Sequence, residues 1–260
     1  MITGIFAIII LDLKRFWQDR ARLIAGLVQP LLYLFVLGAG IGASSRMGGG
    51  DYRRFIFPGT MGLSLLFTAT FSAITIVFDR QIGFFKAVLV APVPRPAIAI
   101  GKILSGAAQA FAQGLVLLPF APLAGATMGP VEVIEVLGAM ALASLTFSSI
   151  GVAFACRFTS TTVFPIVSNA VLLPMFFLSG GLYPLTGAPR WMQVAAHFDP
   201  VAYSVDLMRG PILGRFFFPV PLSLAALAVV IVALTLETIR IFNRGEDDSS
   251  LGASSFRWRR

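Results

Sequence analysis

The sequence has one cysteine, Cys156, and one histidine, His197. A single cysteine excludes an intrachain disulfide, and the two residues cannot build a His/Cys metal cluster. Charge is scarce as well: 12% of the 260 residues are Asp, Glu, Lys or Arg, about half the roughly 25% of a soluble domain. No G-x-x-x-x-G-K-S/T run occurs, so the chain lacks a phosphate cradle of that kind. The net charge of +8 comes without a basic stripe interleaved with aromatics, which argues against nucleic acid as a partner. Ser64 and Ser179 fall in apolar runs and His197 outside them. A Ser–His nucleophile needs hydrogen-bond reach, so no catalytic residue is assigned and the chain is not read as an enzyme.

What is present is apolar sequence. Hydrophobic residues make up 57% of the chain, and mean hydropathy is +0.86. Six runs near 20 residues, the length a ~30 Å hydrocarbon core requires, fall at about 23–42, 55–78, 97–124, 131–155, 162–182 and 220–241. Together they predict an all-α polytopic membrane domain over 1–242 and a flexible polar tail at 243–260. Pro30, Pro119, Pro165 and Pro174 lie inside the runs. They predict kinks whose freed carbonyls find other donors.

Six spans put both termini on one side. Fourteen of the 20 Lys and Arg fall on that side, which by the positive-inside bias makes it cytoplasmic. Before the first span, residues 4–20 place Asp12, Arg15 and Asp19 on one helical face. Phe6, Ile9, Ile10, Leu13 and Trp17 share another. This fits an interfacial helix or, alternatively, an extension of the first span. No small-residue cleavage site follows, so a signal peptide is not expected. Between the fifth and sixth spans, two short outer helices are predicted near 189–197 and 200–209. Asp199 caps the second, Pro200 opens it, and Gly210-Pro211 stops it.

Charges near span ends are few. Glu132 and Glu135 sit in the first turns of the fourth span, where they complement the positive helix end or mark an outer mouth, together with Asp199. Glu237 is predicted to pair with Arg240 one turn on. No ionisable residue lies mid-span, so a proton relay is not expected and the energy source lies elsewhere. "LSGG" at Leu178–Gly181 resembles the signature motif of ABC ATPases. It ends an apolar run, however, so its small residues are read as close helix packing or a turn.

The remaining feature is the basic, proline-punctuated stretch "FDRQIGFFKAVLVAPVPRPAIAIGK", Phe78 to Lys102. Asp79 is predicted to cap a short helix running to about Val90, with Phe84, Phe85, Val88 and Leu89 on its apolar face and Arg80 and Lys86 at its edges. Pro92, Pro94 and Pro96 stiffen the return. Such an element can carry force from a soluble partner, or it can lie on lipid.

These residues resemble the ABC-2 type transporter permeases, whose loop reads D-R-x-x-G-x-F/L-K/E-x-L/M-L-V-A/S-P-V-x-R followed by G-K. The matching residues are Asp79, Arg80, Gly83, Phe85, Lys86, Leu89, Val90, Ala91, Pro92, Val93, Arg95, Gly101 and Lys102. "PMFFLSGGLYPL" with "DPVAYSVDLMRG" gives a second match. The resemblance implies six transmembrane helices, an N-terminal interfacial helix, a cytoplasmic coupling helix and short outer re-entrant helices. It also implies two copies of a separate ABC ATPase subunit carrying ATP and Mg, so this chain would bind no cofactor. A second permease, as a homodimer, and membrane lipid complete the partners. The implied setting is the bacterial cytoplasmic membrane. The implied function is ATP-driven export of an apolar or amphipathic cargo: a drug, a lipid or a lipid-linked glycan. The alternative is an ATP-independent carrier or channel. Coupling to the ATPase would fall to Asp79, Arg80, Gly83, Phe84, Phe85, Lys86, Leu89 and Pro92.

Overall fold

A computed structural model describes residues 2–40, 49–81 and 94–244, and every regular element among them is helical. In chain order the α-helices are α1 (Ile2–Gln18), α2 (Arg20–Leu32), α3 (Gly49–Ser72), α4 (Ile74–Gln81), α5 (Arg95–Leu117), α6 (Pro130–Ala155), α7 (Val163–Leu178), α8 (Arg190–His197), α9 (Pro200–Leu213) and α10 (Val220–Arg244).

Five segments are long and apolar enough to cross a membrane: Leu23–Gly40, Tyr52–Asp79, Pro96–Phe120, Pro130–Ala155 and Val220–Phe242. The span predicted at 162–182 is not among them. Its helix, α7, has 16 residues, about 24 Å at 1.5 Å per residue. The Ser179 hydroxyl turns back to donate to the Phe176 carbonyl at 2.6 Å, and Gly180 follows at φ 72°. That left-handed residue ends the helix. The run at 97–124 is α-helical only to Leu117, and two 3-10 turns, Leu118–Phe120 and Pro122–Ala124, finish it. Pro119 therefore sits at the end of the helix and does not kink it; without an N–H it cannot continue the hydrogen-bond ladder.

Pro30 lies inside α2 and cannot donate to the carbonyl four residues earlier. That carbonyl, of Gly26, accepts instead from Ser64 Oγ of α3 at 3.0 Å. A π-helical turn, Tyr33–Leu37, follows directly.

Helix α6 is the hub, packed against α3, α5, α9 and α10. Its C-terminal half is almost wholly buried, Ser144, Thr146, Ser148 and Ser149 included. Its Ser148 hydroxyl donates to the Ile103 carbonyl of α5 at 2.7 Å. The main core joins Ile56, Leu65 and Leu66 to Met140, Phe147 and Met208. A second cluster, with Ile76, Val77, Ile98, Ile103, Phe164 and Phe242, gathers the ends of α4, α5, α6, α7 and α10 on the side where α4 ends and α5 begins. A third, with Leu185, Tyr203, Leu207, Phe218 and Leu227, closes the opposite end. Apolar side chains point outward from α2 (Ile24, Val28), the π-helical turn after it (Val36) and α10 (Val229, Val232, Leu236). An apolar exterior and five helices of spanning length together describe a multi-pass membrane protein.

Candidate functional site

The loop end is built by α1, α4 and α5. Gly83, Phe84, Phe85, Lys86, Leu89 and Pro92 lie outside the described residues, as does the side chain of Arg80. Asp79 does not cap a helix: it lies in the last turn of α4, where its backbone is helical and not in the extended form a cap takes. Its carboxylate stands 3.8 Å from Lys102 Nζ of α5. The same ammonium is 3.0 Å from Asp12 Oδ2 of α1 and donates to Thr75 Oγ1 at 3.3 Å. Ser105 Oγ donates to Asp12 Oδ2 at 3.1 Å, and Gln109 Nε2 donates to Ser105 Oγ at 3.3 Å.

Asp12 is only 5% exposed. Of the predicted polar face of α1, Asp12 is turned into the protein, whereas Arg15 and Asp19 are exposed, as are Phe6, Ile10 and Trp17. A buried lysine requires a paired carboxylate, and α1 supplies it. At the same end Glu237 pairs with Arg157, at 3.2 Å, and not with Arg240 as its spacing predicts. Arg157 follows α6 and comes within reach because α6 packs against α10.

The opposite end is built by α3, α9 and the turn after α7. Asp199 caps α9 as predicted, accepting from the Val201 N–H at 2.9 Å with Pro200 behind it. Its Oδ2 is buried without a hydrogen-bond partner, and burial pushes the carboxyl up to about 7, against the Val201 hydrogen bond. The helix does not stop at Gly210-Pro211; it runs to Leu213 and ends at Gly214, φ 68°. Its last turn is held by the burial of Ile212 and by Arg54, which donates to the Ile212 carbonyl.

Arg209, on the buried face of α9, donates to the carbonyls of Gly180 and Gly181 at 2.9 and 3.1 Å. Its guanidinium lies 4.0 Å from the centroid of the Phe55 ring. Burial lowers it to about 10, with Asp206 opposing the shift. Asp206 accepts from the Phe217 and Phe218 N–H groups at 3.0 and 2.9 Å; burial raises its carboxyl while those bonds restrain it. Tyr52 of α3 donates to the Leu182 carbonyl at 3.0 Å. Gly59 lets α3 touch this turn, since a Cβ there would lie 2.0 Å from the Gly181 oxygen. The "LSGG" segment is therefore a pinned turn.

Glu132 and Glu135 lie in the first turns of α6, half-buried and exposed respectively. Among the described residues no hydrogen bond or ion pair joins either to Asp199. The Ser64 and Ser179 hydroxyls donate to Gly26 and Phe176 carbonyls, while His197 packs on Phe218 with ring centroids 5.1 Å apart. The three residues do not meet.

Along α2, α3 and α7 runs an open groove of about 690 Å³. Phe67 and Phe71 line it as a stacked pair, 5.7 Å between centroids. Gln29, Thr68, Asn169 and Asp19 add polar groups. Sequence reasoning missed Asp12–Lys102, Tyr52 and Arg209. Lys102 stands in the G-K of the loop motif and Asp12 interrupts an apolar run, so those two left a trace.

The family profile described as ABC-2 type transporter matches residues 3–213. Nodulation protein J of Rhizobium leguminosarum bv. trifolii is 33% identical over 215 residues, covering 82% of each chain. Nodulation protein J of R. leguminosarum bv. viciae is 30% identical over 227 residues, 86% of this chain and 87% of the relative. The same-named protein of Rhizobium meliloti is 30% identical over 213 residues, 80% of each. The matched stretch holds the loop motif and every helix of the bundle up to α9, and the chain belongs to the ABC-2 type transporter family.

Proposed function

We propose that this permease is the membrane subunit of an ATP-driven exporter. Two copies of a separate ATPase subunit bind ATP and Mg, and their closure moves the loop 79–92. Asp79, Arg80, Gly83, Phe84, Phe85, Lys86, Leu89 and Pro92 form the contact or support it. The observation that carries this reading is the mount of that loop: Asp79 at its start and Lys102 after its end are 3.8 Å apart. A loop with a tied base transmits a push to its helices, whereas a slack one absorbs it.

In this reading the chain crosses the cytoplasmic membrane six times, α7 being the short crossing, with both termini in the cytoplasm. Helix α1 lies at the inner interface. Helices α8 and α9 re-enter from outside, where Glu132, Glu135 and Asp199 border the mouth. A second copy of the permease completes the pathway. An apolar or amphipathic cargo moves along the groove of α2, α3 and α7, whose aromatic pair and amide side chains suit a two-sided molecule.

The test is co-purification with the ATPase. Phe85→Asp places an unpaired charge in the contact, which costs several kcal/mol. Gly83→Leu blocks close approach. Both variants insert normally, lose the ATPase and stop transport if the reading holds. A Phe85→Asp complex that assembles and hydrolyses ATP like the parent contradicts it. Transport by a permease that no ATPase accompanies favours an ATP-independent carrier.

A further inference from the structure

We infer that α1 is a lever: the Asp12–Lys102–Asp79 joint ties it to the loop base, so that movement of the loop is delivered through α1 to α2 and the groove. The inference rests on the coupling reading of the loop and adds the route by which its movement travels.

Two contacts fasten α1 to α5 side by side. One is the ion pair of Asp12 with Lys102, backed by Ser105. The other is Ile8 against Gly101, where a Cβ on the glycine would come within 3.2 Å of Ile8 Cδ1. The Gly101-Lys102 pair therefore performs two tasks at one point: glycine admits the helix and lysine holds it. Lys102 reaches α4 as well, through Asp79 and Thr75. With Asp12 at 5% exposure and Lys102 at 13%, water and salt screen this joint far less than a surface pair.

The far end of α1 does not dissipate the motion. Only Asp19 separates α1 from α2, and a helical hydrogen bond ties it to each helix: Asp19 N–H to the Arg15 carbonyl and Leu23 N–H to the Asp19 carbonyl, both at 3.1 Å. Asp19, Gly26 and Gln29 then line the groove. A rotation of α1 about its joint therefore turns a groove wall. Asp12 and Lys102 are positioning residues in this scheme, since neither touches the groove.

The test uses nitroxide pairs in the complex with its ATPase, on a Cys156→Ser background. One pair, at Gln18 and Phe78, spans the joint; the other, at Gln18 and Arg240, measures α1 against α10. Distances are read nucleotide-free and after trapping with ATP and vanadate. The lever predicts an unchanged Gln18–Phe78 distance and a shifted Gln18–Arg240 distance. Asp12→Asn, which leaves Lys102 one carboxylate, should reverse this: Gln18–Phe78 changes on trapping and Gln18–Arg240 no longer does. If Asp12→Asn fails to insert, Asp79→Asn, which breaks the other arm of the joint, serves instead and must give the same reversed pattern. A Gln18–Phe78 distance that changes in the parent overturns the lever. So does an Asp12→Asn or Asp79→Asn variant that keeps the parent pattern, or a parent in which neither distance moves. In all of these the coupling reading survives as long as the ATPase co-purifies through the loop. Loss of that association in the parent removes both.

Discussion

At the loop end one lysine holds two carboxylates from two other helices; at the opposite end one arginine holds two backbone carbonyls of a single turn. The first arrangement joins side chains, which can swivel while they stay paired. The second fixes main chain, which cannot shift without breaking its bonds. Lysine is a compact charge on a flexible stem, whereas arginine is a planar donor that also stacks on Phe55. The contrast describes a joint at one end and a fastening at the other, within one bundle.

The largest expected effect follows from the fastening. Arg209→Leu leaves the Gly180 and Gly181 carbonyls buried without a donor, at about 4 kcal/mol for the two. Thermal unfolding in detergent would show it. Arg209→Lys should recover little of that loss, because the stack on Phe55 and the planar geometry go with it. Lys102→Arg at the joint should cost under about 1 kcal/mol, since a guanidinium also bridges two carboxylates. Equal losses at the two positions would erase the distinction.

Asp199 gives the fastening a pH dependence. Its folded-state value, about 7, lies above the ordinary 3.8. Between those values the native state holds a proton that the unfolded chain has lost. Stability therefore falls as pH rises from about 4 to 7, and the penalty persists in full above that range. Asparagine keeps the cap and carries no charge. Between pH 4 and pH 8, Asp199→Asn should escape a loss on the order of 3 kcal/mol that the parent suffers. Parallel stability curves for the two proteins would contradict this.

Smaller effects separate single hydrogen bonds from surface charge. Tyr52→Phe frees the Leu182 carbonyl, and Ser64→Ala frees the Gly26 carbonyl opposite Pro30. Each should cost about 1 kcal/mol. Arg157→Ala should cost under about 0.5 kcal/mol, because the Arg157–Glu237 pair is open to solvent at 66% and 39%.

Sequence reached local features of the end opposite the loop. The Asp199 cap and the helix behind Pro200 are written within three residues, and a proline after an acidic residue signals them without tertiary context. The outward apolar faces were legible for the same reason. Gly210-Pro211 misled because the signal for a stop is local while the force that continued α9, burial of Ile212 with its carbonyl bound by Arg54, is not. Lys102 lies 90 residues from Asp12, and no periodicity connects them. Asp79 looked like a cap because the helix containing it begins at Ile74, after a break at Ala73 that an apolar run conceals. The short α7 was hidden in the same way: the left-handed Gly180 ends the helix, and the small residues around it do not by themselves distinguish a turn from close helix packing.

The central claim is that an ATPase drives this permease from the loop end and leaves the opposite end free. A photo-cross-linking residue placed at Phe85, and separately at the exposed Trp191 of α8, tests it in intact cells. An adduct with an ATPase subunit is expected from position 85 and none from position 191. An ATPase adduct at position 191, or none at position 85 in cells that still transport, would contradict it.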